Sequence, residues 1–321
     1  MDGMEHGGNW HAATAALREE FRTLLSAERL RELHRVSGWR HALVAFRQFA
    51  LAAGCVAAIV LGRDLWFVWL PAAVLLGFLL FSFTVLLHEV VHRAVFRRRE
   101  TRWNRVLAWL YALPSGLAPG QFTRWHLDPH AELGTEDKDP TRHHLTPKIV
   151  QPLYEAPYLT PPLFPSSFRA AAREAAGYPA ELRRRLKRQR IVVVAVHLAL
   201  IGALAFAGWD LLFKLYVLPV FFVFPVAFTI NRLGQHYDIE PDDPACWGTI
   251  LRSNPAWDFL FLWSSYHMEH HYFPAVPFYN LKRLHAELKP VFERHPMRVR
   301  TYGGLLWDWF VRNKHPHLSW H

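Results

Sequence analysis

The stretch LWFVWLPAAVLLGFLLFSFTVLLHEVVH, Leu65 to His92, decides the fold. Up to Leu87 it carries no charge, and it is longer than the roughly 20 residues that an α-helix needs to cross the hydrocarbon core of a bilayer. It then closes on His88-Glu89-Val90-Val91-His92. Residues four apart lie on one face of a helix, so a helix that runs on past the apolar segment aims both imidazoles at one point beside the membrane.

The same apolar pattern surrounds this stretch. From about Ala42 to Leu61 the chain is apolar apart from Arg47 and Gln48, and Gly62-Arg63-Asp64 breaks the run. It recurs from Ile191 to Gly208, is interrupted by Trp209-Asp210, and resumes from Leu211 to Ile230 with Lys214 as its one charge. The expected fold is an all-α integral membrane protein. It has four transmembrane helices, at about 42–62, 65–87, 191–208 and 211–230, arranged as two hairpins with a cytosolic helical cap that carries the histidines. Four buried helices of a soluble protein are the competing reading. The uncharged run before His88 exceeds the ~18 residues that mark a membrane helix, which disfavours it.

Composition agrees with spans joined to sizeable polar portions, since 51% of residues are hydrophobic and 15% aromatic while 20% are charged. The formal charge of +10 is clustered at Arg93, Arg97, Arg98, Arg99, Arg102 and Arg105 and again from Arg183 to Arg190. Basic stretches beside apolar spans mark the cytoplasmic face. No nucleic-acid recognition motif accompanies them, so a nucleic-acid partner is not expected. The turns between paired spans carry almost no charge. Both termini and the central loop are therefore expected in the cytoplasm, with an inner bacterial membrane as the compartment. The expected divisions are a cytosolic segment over 1–41, a membrane domain over 42–290 and a cytosolic tail over 291–321. The two cysteines, Cys55 and Cys246, provide neither a disulfide framework nor a metal site. The N-terminus shows no secretory pattern.

Of the 20 histidines, eight fall into groups abutting these spans. His88 and His92 end the second span; His126 and His130 lie in Arg124-Trp125-His126-Leu127-Asp128-Pro129-His130; His236 follows the fourth span; and His267-Met268-Glu269-His270-His271 forms the last group. An even number of crossings separates the groups, so all of them emerge on one face of the membrane. Imidazole is a common ligand for iron, zinc, copper and nickel, and this many imidazoles exceed the needs of one tetrahedral ion, so two metals are the natural reading. A single pair at this spacing is ordinarily a solvated or core pair; several groups on one face make that reading poor. His143 and His144 lie near the second group as possible substitutes. Trp103, Trp109, Trp125, Trp257 and Trp263 suit segments at the membrane interface. Proline in the loop from Gln151 to Pro179 precludes one helix there, with Phe168 to Ala176 as a short amphipathic candidate.

His88 to His92 also matches H-E-x-x-H, a zinc protease signature with glutamate as general base. Membrane proteases of that kind resemble a further pattern with an aspartate ligand before glycine in a later span, and the chain's Asp-Gly pair is Asp2-Gly3. That reading leaves His126, His130, His236, His267, His270 and His271 unused, and it stays a minor alternative.

Tyr266 to His285, YHMEHHYFPAVPFYNLKRLH, carries His-x-x-His-His followed by Phe-Pro-x-Val-Pro. It resembles the third histidine box of the membrane fatty acid desaturase superfamily, which includes acyl desaturases, acyl hydroxylases and carotenoid-modifying oxygenases. His88 to His92 resembles the first box, Trp125 to Pro140 the second, and His236 the solitary ligand before the third; the resemblance runs from about Leu65 to His285. It departs in the second box, where Pro129 stands in place of a histidine. Water, Asp128 or another nearby polar group would complete that shell, or one metal would be held weakly with an altered oxidation outcome. Asn231 is a further candidate, acting through water.

The resemblance implies a non-haem centre of two ferrous ions held by His88, His92, His126, His130, His236, His267, His270 and His271. It implies O2-dependent oxidation of a fatty acyl chain, with desaturation expected first and hydroxylation or ketolation, including of a carotenoid, as the alternative. Glu89, Asp128 and Glu269 would orient ligand imidazoles through their other ring nitrogen; solvated surface carboxylates are the bland alternative. The chain has no cysteine cluster, Gly-x-Gly-x-x-Gly or fused haem motif, so a separate ferredoxin or cytochrome is the expected electron donor, drawn to the arginine-rich face. The same arginines suit anionic lipid head groups. A non-catalytic protein with a vestigial site is the last alternative, and Pro129 keeps it open.

Overall fold

The computed structural model describes residues 14–96, 102–132, 159–236, 248–295, 297 and 299–312. It is mostly helical and forms two compact units. One comprises Ser37–Arg124 and Ala156–Thr229; the other comprises Met1–Val36, Trp125–Glu155 and Ile230–His321. Four helical runs are long and apolar enough to cross a membrane: Ala27–Leu61, Trp66–Val91, Ala180–Ala207 and Trp209–Gln235.

The first run is broken, and its apolar part is the helix Gly38–Leu61. Ser37 caps it by accepting from the Arg40 amide, and the Gly62 amide closes it on the Ala58 carbonyl. Cys55 and Ile59 on this helix pack against Ala73, Leu76 and Leu79 of Trp66–Val91. Side by side with this apolar contact runs a polar one. Gln48, fully buried, donates to the Ser82 hydroxyl at 2.7 Å, and Ser82 donates to the Leu79 carbonyl at 2.7 Å. An interhelical hydrogen bond of this kind contributes about 0.6–2 kcal/mol between membrane helices. The sequence showed Gln48 only as an interruption in an apolar run.

The second span packs tightly on the fourth. A Cβ at Gly77 would lie 2.4 Å from Val223 and 2.9 Å from the Pro219 carbonyl, so only glycine fits there. Around Pro219 the fourth span widens to i→i−5 turns over Phe213–Val223 before returning to an ordinary helix at Phe224–His236. Proline has no amide hydrogen and its ring crowds the preceding turn, which is the physical reason for the wider winding. The break before this span falls at Gly208, whose φ of 148° suits glycine. Lys214 donates to the Arg63 carbonyl at 2.7 Å, and Asp210 pairs with Arg63 at 3.0 Å, which ties the two short inter-span turns together.

The third helix is longer than its apolar run, because Arg183 to Arg190 form its first turns. Only 6% of its most apolar window is buried. Ile191, Val192, Val194, Val196, Leu198 and Leu200 are exposed on it, a surface that suits lipid and not water. His197 is its polar tie: Nδ1 lies 2.7 Å from the Tyr216 hydroxyl, and Nε2 donates to the Leu113 carbonyl at 2.9 Å. The amphipathic candidate near Phe168 is a helix over Leu163–Ala176.

The other unit is built around the helix Phe278–Arg294, which buries Leu281, Leu284, Leu288, Val291 and Phe292 at helical spacing. Asn254 caps the preceding helix Pro255–Leu260 through the Ala256 and Trp257 amides. Asp258 accepts from Ser253 at 2.7 Å and from Lys282 at 2.8 Å. Among the described residues, the departure from an all-helical reading is a short parallel pair, Ile250–Leu251 with Val299–Arg300. Two residues a side give no alternating pattern long enough to read.

Candidate metal centre

Each unit carries its own histidine group. In the spanning unit, His88 lies in the last turn of Trp66–Val91 and His92 is that helix's C-cap. Their rings are 4.6 Å apart between centroids, and their ligand nitrogens lie within 4.8 Å of each other. Arg93 adopts a left-handed backbone, φ 57°, while the Ala94 amide reaches back to the Glu89 carbonyl and the Arg93 amide to that of Val90. This is the usual two-bond closure of a helix end, with arginine where glycine is the common choice. It stops the helix at His92. Glu89 is 2% exposed, and its Oε1 accepts from His88 Nδ1 at 3.2 Å. That hydrogen bond leaves Nε2 as the outward ligand nitrogen, the arrangement expected of a carboxylate that orients a metal-binding imidazole. Burial, reinforced by neighbouring His88, holds the His92 pKa well below its ordinary value. His92 is therefore a neutral imidazole, the form that binds a metal.

In the other unit, the short helix His267–Tyr272 is buried at every position. His267 Nε2 and His271 Nε2 lie 3.0 Å apart, with the rings nearly perpendicular at 87°. Two nitrogens each about 2.1 Å from one ion, at a right angle, would be ~3.0 Å apart, so the pair fits adjacent positions on a single metal. His270 stacks 5.8 Å from His267. His126, on the helix Pro119–Glu132, has its ring 5.9 Å from that of His270, with ligand nitrogens within 4.8 Å. The backbones of Asp128, His130 and His236 are helical, and their side chains lie outside the described residues, as do His143 and His144.

Glu269 is 1% exposed, but the imidazole it holds is that of His285, whose Nδ1 donates to Glu269 Oε1. Burial disfavours the charged form of His285; the hydrogen bond and charge of Glu269 outweigh it, and the pKa is raised. His285 ends the stretch whose motif stood out, yet it lies 16 residues beyond Glu269 and no local spacing connects them. Asn231, the candidate water-bridging ligand, donates to the Ser264 hydroxyl at 2.8 Å and accepts from Gln235 at 2.9 Å. Arg18 and Phe21, which reach the third group from the N-terminal segment, had no signal in the sequence.

The chain joins helices long and apolar enough to cross a membrane to pairs of histidines at ligand spacing. The protein-family model for fatty acid desaturase matches residues 64–303, about three quarters of the chain, and the chain belongs to that family. It is an oxidoreductase at the level of the family. A human sphingolipid delta(4)-desaturase/C4-monooxygenase is 26% identical to it over 247 residues, covering 71% of this chain and 67% of that protein.

Proposed function

We propose that this chain is a membrane-bound non-haem di-iron oxidoreductase that desaturates a fatty acyl chain at the expense of O2. The observation that carries the reading is the pairing of imidazoles at ligand distance, above all the buried His267 and His271 with Nε2 atoms 3.0 Å apart. His88, His92, His126, His130, His236, His267, His270 and His271 would hold two iron ions, which would supply the oxidising power for an unactivated methylene. Imidazole is a chemically adequate iron ligand, and carboxylates are not obligatory. Glu89 would orient His88 through Nδ1. Apolar walls would exclude water and admit the alkyl chain.

The two hairpins, the cytosolic cap over the spans and the divisions at 41 and 290 belong to the same proposal, supported by the distribution of arginine. A separate ferredoxin or cytochrome would deliver the electrons.

Hydroxylation is the second reading, and two observations favour weighing it. Pro129 replaces a histidine of the second box, and the human relative's name couples a desaturase with a monooxygenase. Metal analysis of the purified protein tests the site: two irons per chain are expected, one zinc would favour the protease reading, and no metal would favour a vestigial site. Lipid profiling of cells that express the protein, with His92→Ala as control, then scores a new double bond against a new hydroxyl. His270→Ala is expected to abolish activity, and retained activity would sink the ligand assignment.

A further inference from the structure

We propose that the N-terminal helix Ala15–Leu24 is a strap that fixes the third histidine box, with Phe21 and Arg18 as positioning residues for His271. This helix lies outside the family-matched segment 64–303, so it is a feature of this chain rather than of the match. The metal consequence rests on the reading above; the structural consequence does not.

The box helix His267–Tyr272 has six residues. A helix that short is unstable alone, and the carbonyls of its last turn have no partner within it. The strap supplies what is missing from two directions. Phe21 is fully buried, with its ring 4.6 Å from Tyr272, 5.7 Å from Phe292 and 6.3 Å from Phe273. Tyr272 and Phe273 directly follow His271, so this aromatic wedge sets where the box ends. Arg18 donates to the His271 backbone carbonyl at 3.4 Å and lies 5.7 Å from the Tyr272 ring. A cation at a helix C-terminus also complements the helix dipole. Arg18 is itself held by Thr14, whose hydroxyl accepts from Nε at 3.2 Å. The outer side of the strap is moored by Glu20, which accepts from Arg294 and His295, both at 2.6 Å.

The test uses the full-length protein in lipid nanodiscs, comparing wild type with Phe21→Ala, Arg18→Met and Arg18→Lys. Hydrogen exchange of the Tyr266–Phe273 amides is read in metal-free protein, and the rate of iron removal by a chelator is read in loaded protein. Phe21→Ala and Arg18→Met are expected to speed box exchange and to speed iron removal by roughly 10-fold or more, the scale on which groups that orient ligands act. Exchange in Trp66–Val91 should stay unchanged, and Arg18→Lys should recover part of the loss. Unchanged box exchange in both variants overturns the strap, as does an equal rise across the spans, which would mean general destabilisation. Wild type that binds no iron overturns the di-iron reading alone and leaves the exchange result to decide the strap.

Discussion

Glu89 and Glu269 share one expected role and contact different kinds of histidine. Both were expected to orient ligand histidines; Glu89 contacts His88, whereas Glu269 is committed to His285. The Glu269–His285 pair raises the His285 pKa, so it stabilises the fold when the imidazolium is present. That contribution is complete below the ordinary histidine value of ~6.5 and is lost as pH rises through the raised value. His285→Phe is accordingly expected to lower the melting temperature more near pH 6 than near pH 8.5. An equal drop at both pH values would show that the charged pair is not what His285 contributes.

Among the elements, the helices were legible because hydropathy alone specifies a span, and the second helix even continues through His88 to His92 as its pattern required. Their ends were less legible. The third helix starts at Ala180, well before its apolar run, because arginine and lysine are good helix formers whose charge hides the continuity. The widened turns around Pro219 and the close approach at Gly77 depend on partners distant in sequence, which no local window contains. In the site, His267, His270 and His271 announced themselves by spacing, while Phe21, Arg18 and His285 act through tertiary contacts. Gly77→Leu tests the tightest helix contact. Forcing a side chain into the space occupied by Val223 should cost about 1–3 kcal/mol. A melting curve in detergent that matches wild type would mean the spans can part without loss.

At the scale of the whole molecule, charge predicts that the turns at Asp64 and Trp209 face away from the compartment holding the C-terminus. Single cysteines at these two positions, in a background lacking Cys55 and Cys246, should react with a membrane-impermeant thiol reagent from outside intact cells, and one at Arg312 should not. Reaction of all three from the same side would overturn the topology. The thinly covered third span has a consequence for how the sequence can vary. With 6% of its apolar window buried, most of its perimeter answers only to the bilayer. A saturation scan should therefore find Val192, Val194, Leu198 and Leu200 interchangeable with other aliphatic residues, while His197, between Tyr216 and Leu113, tolerates little. Mutational freedom along this helix would then map the surface that solvating lipids occupy, one residue at a time.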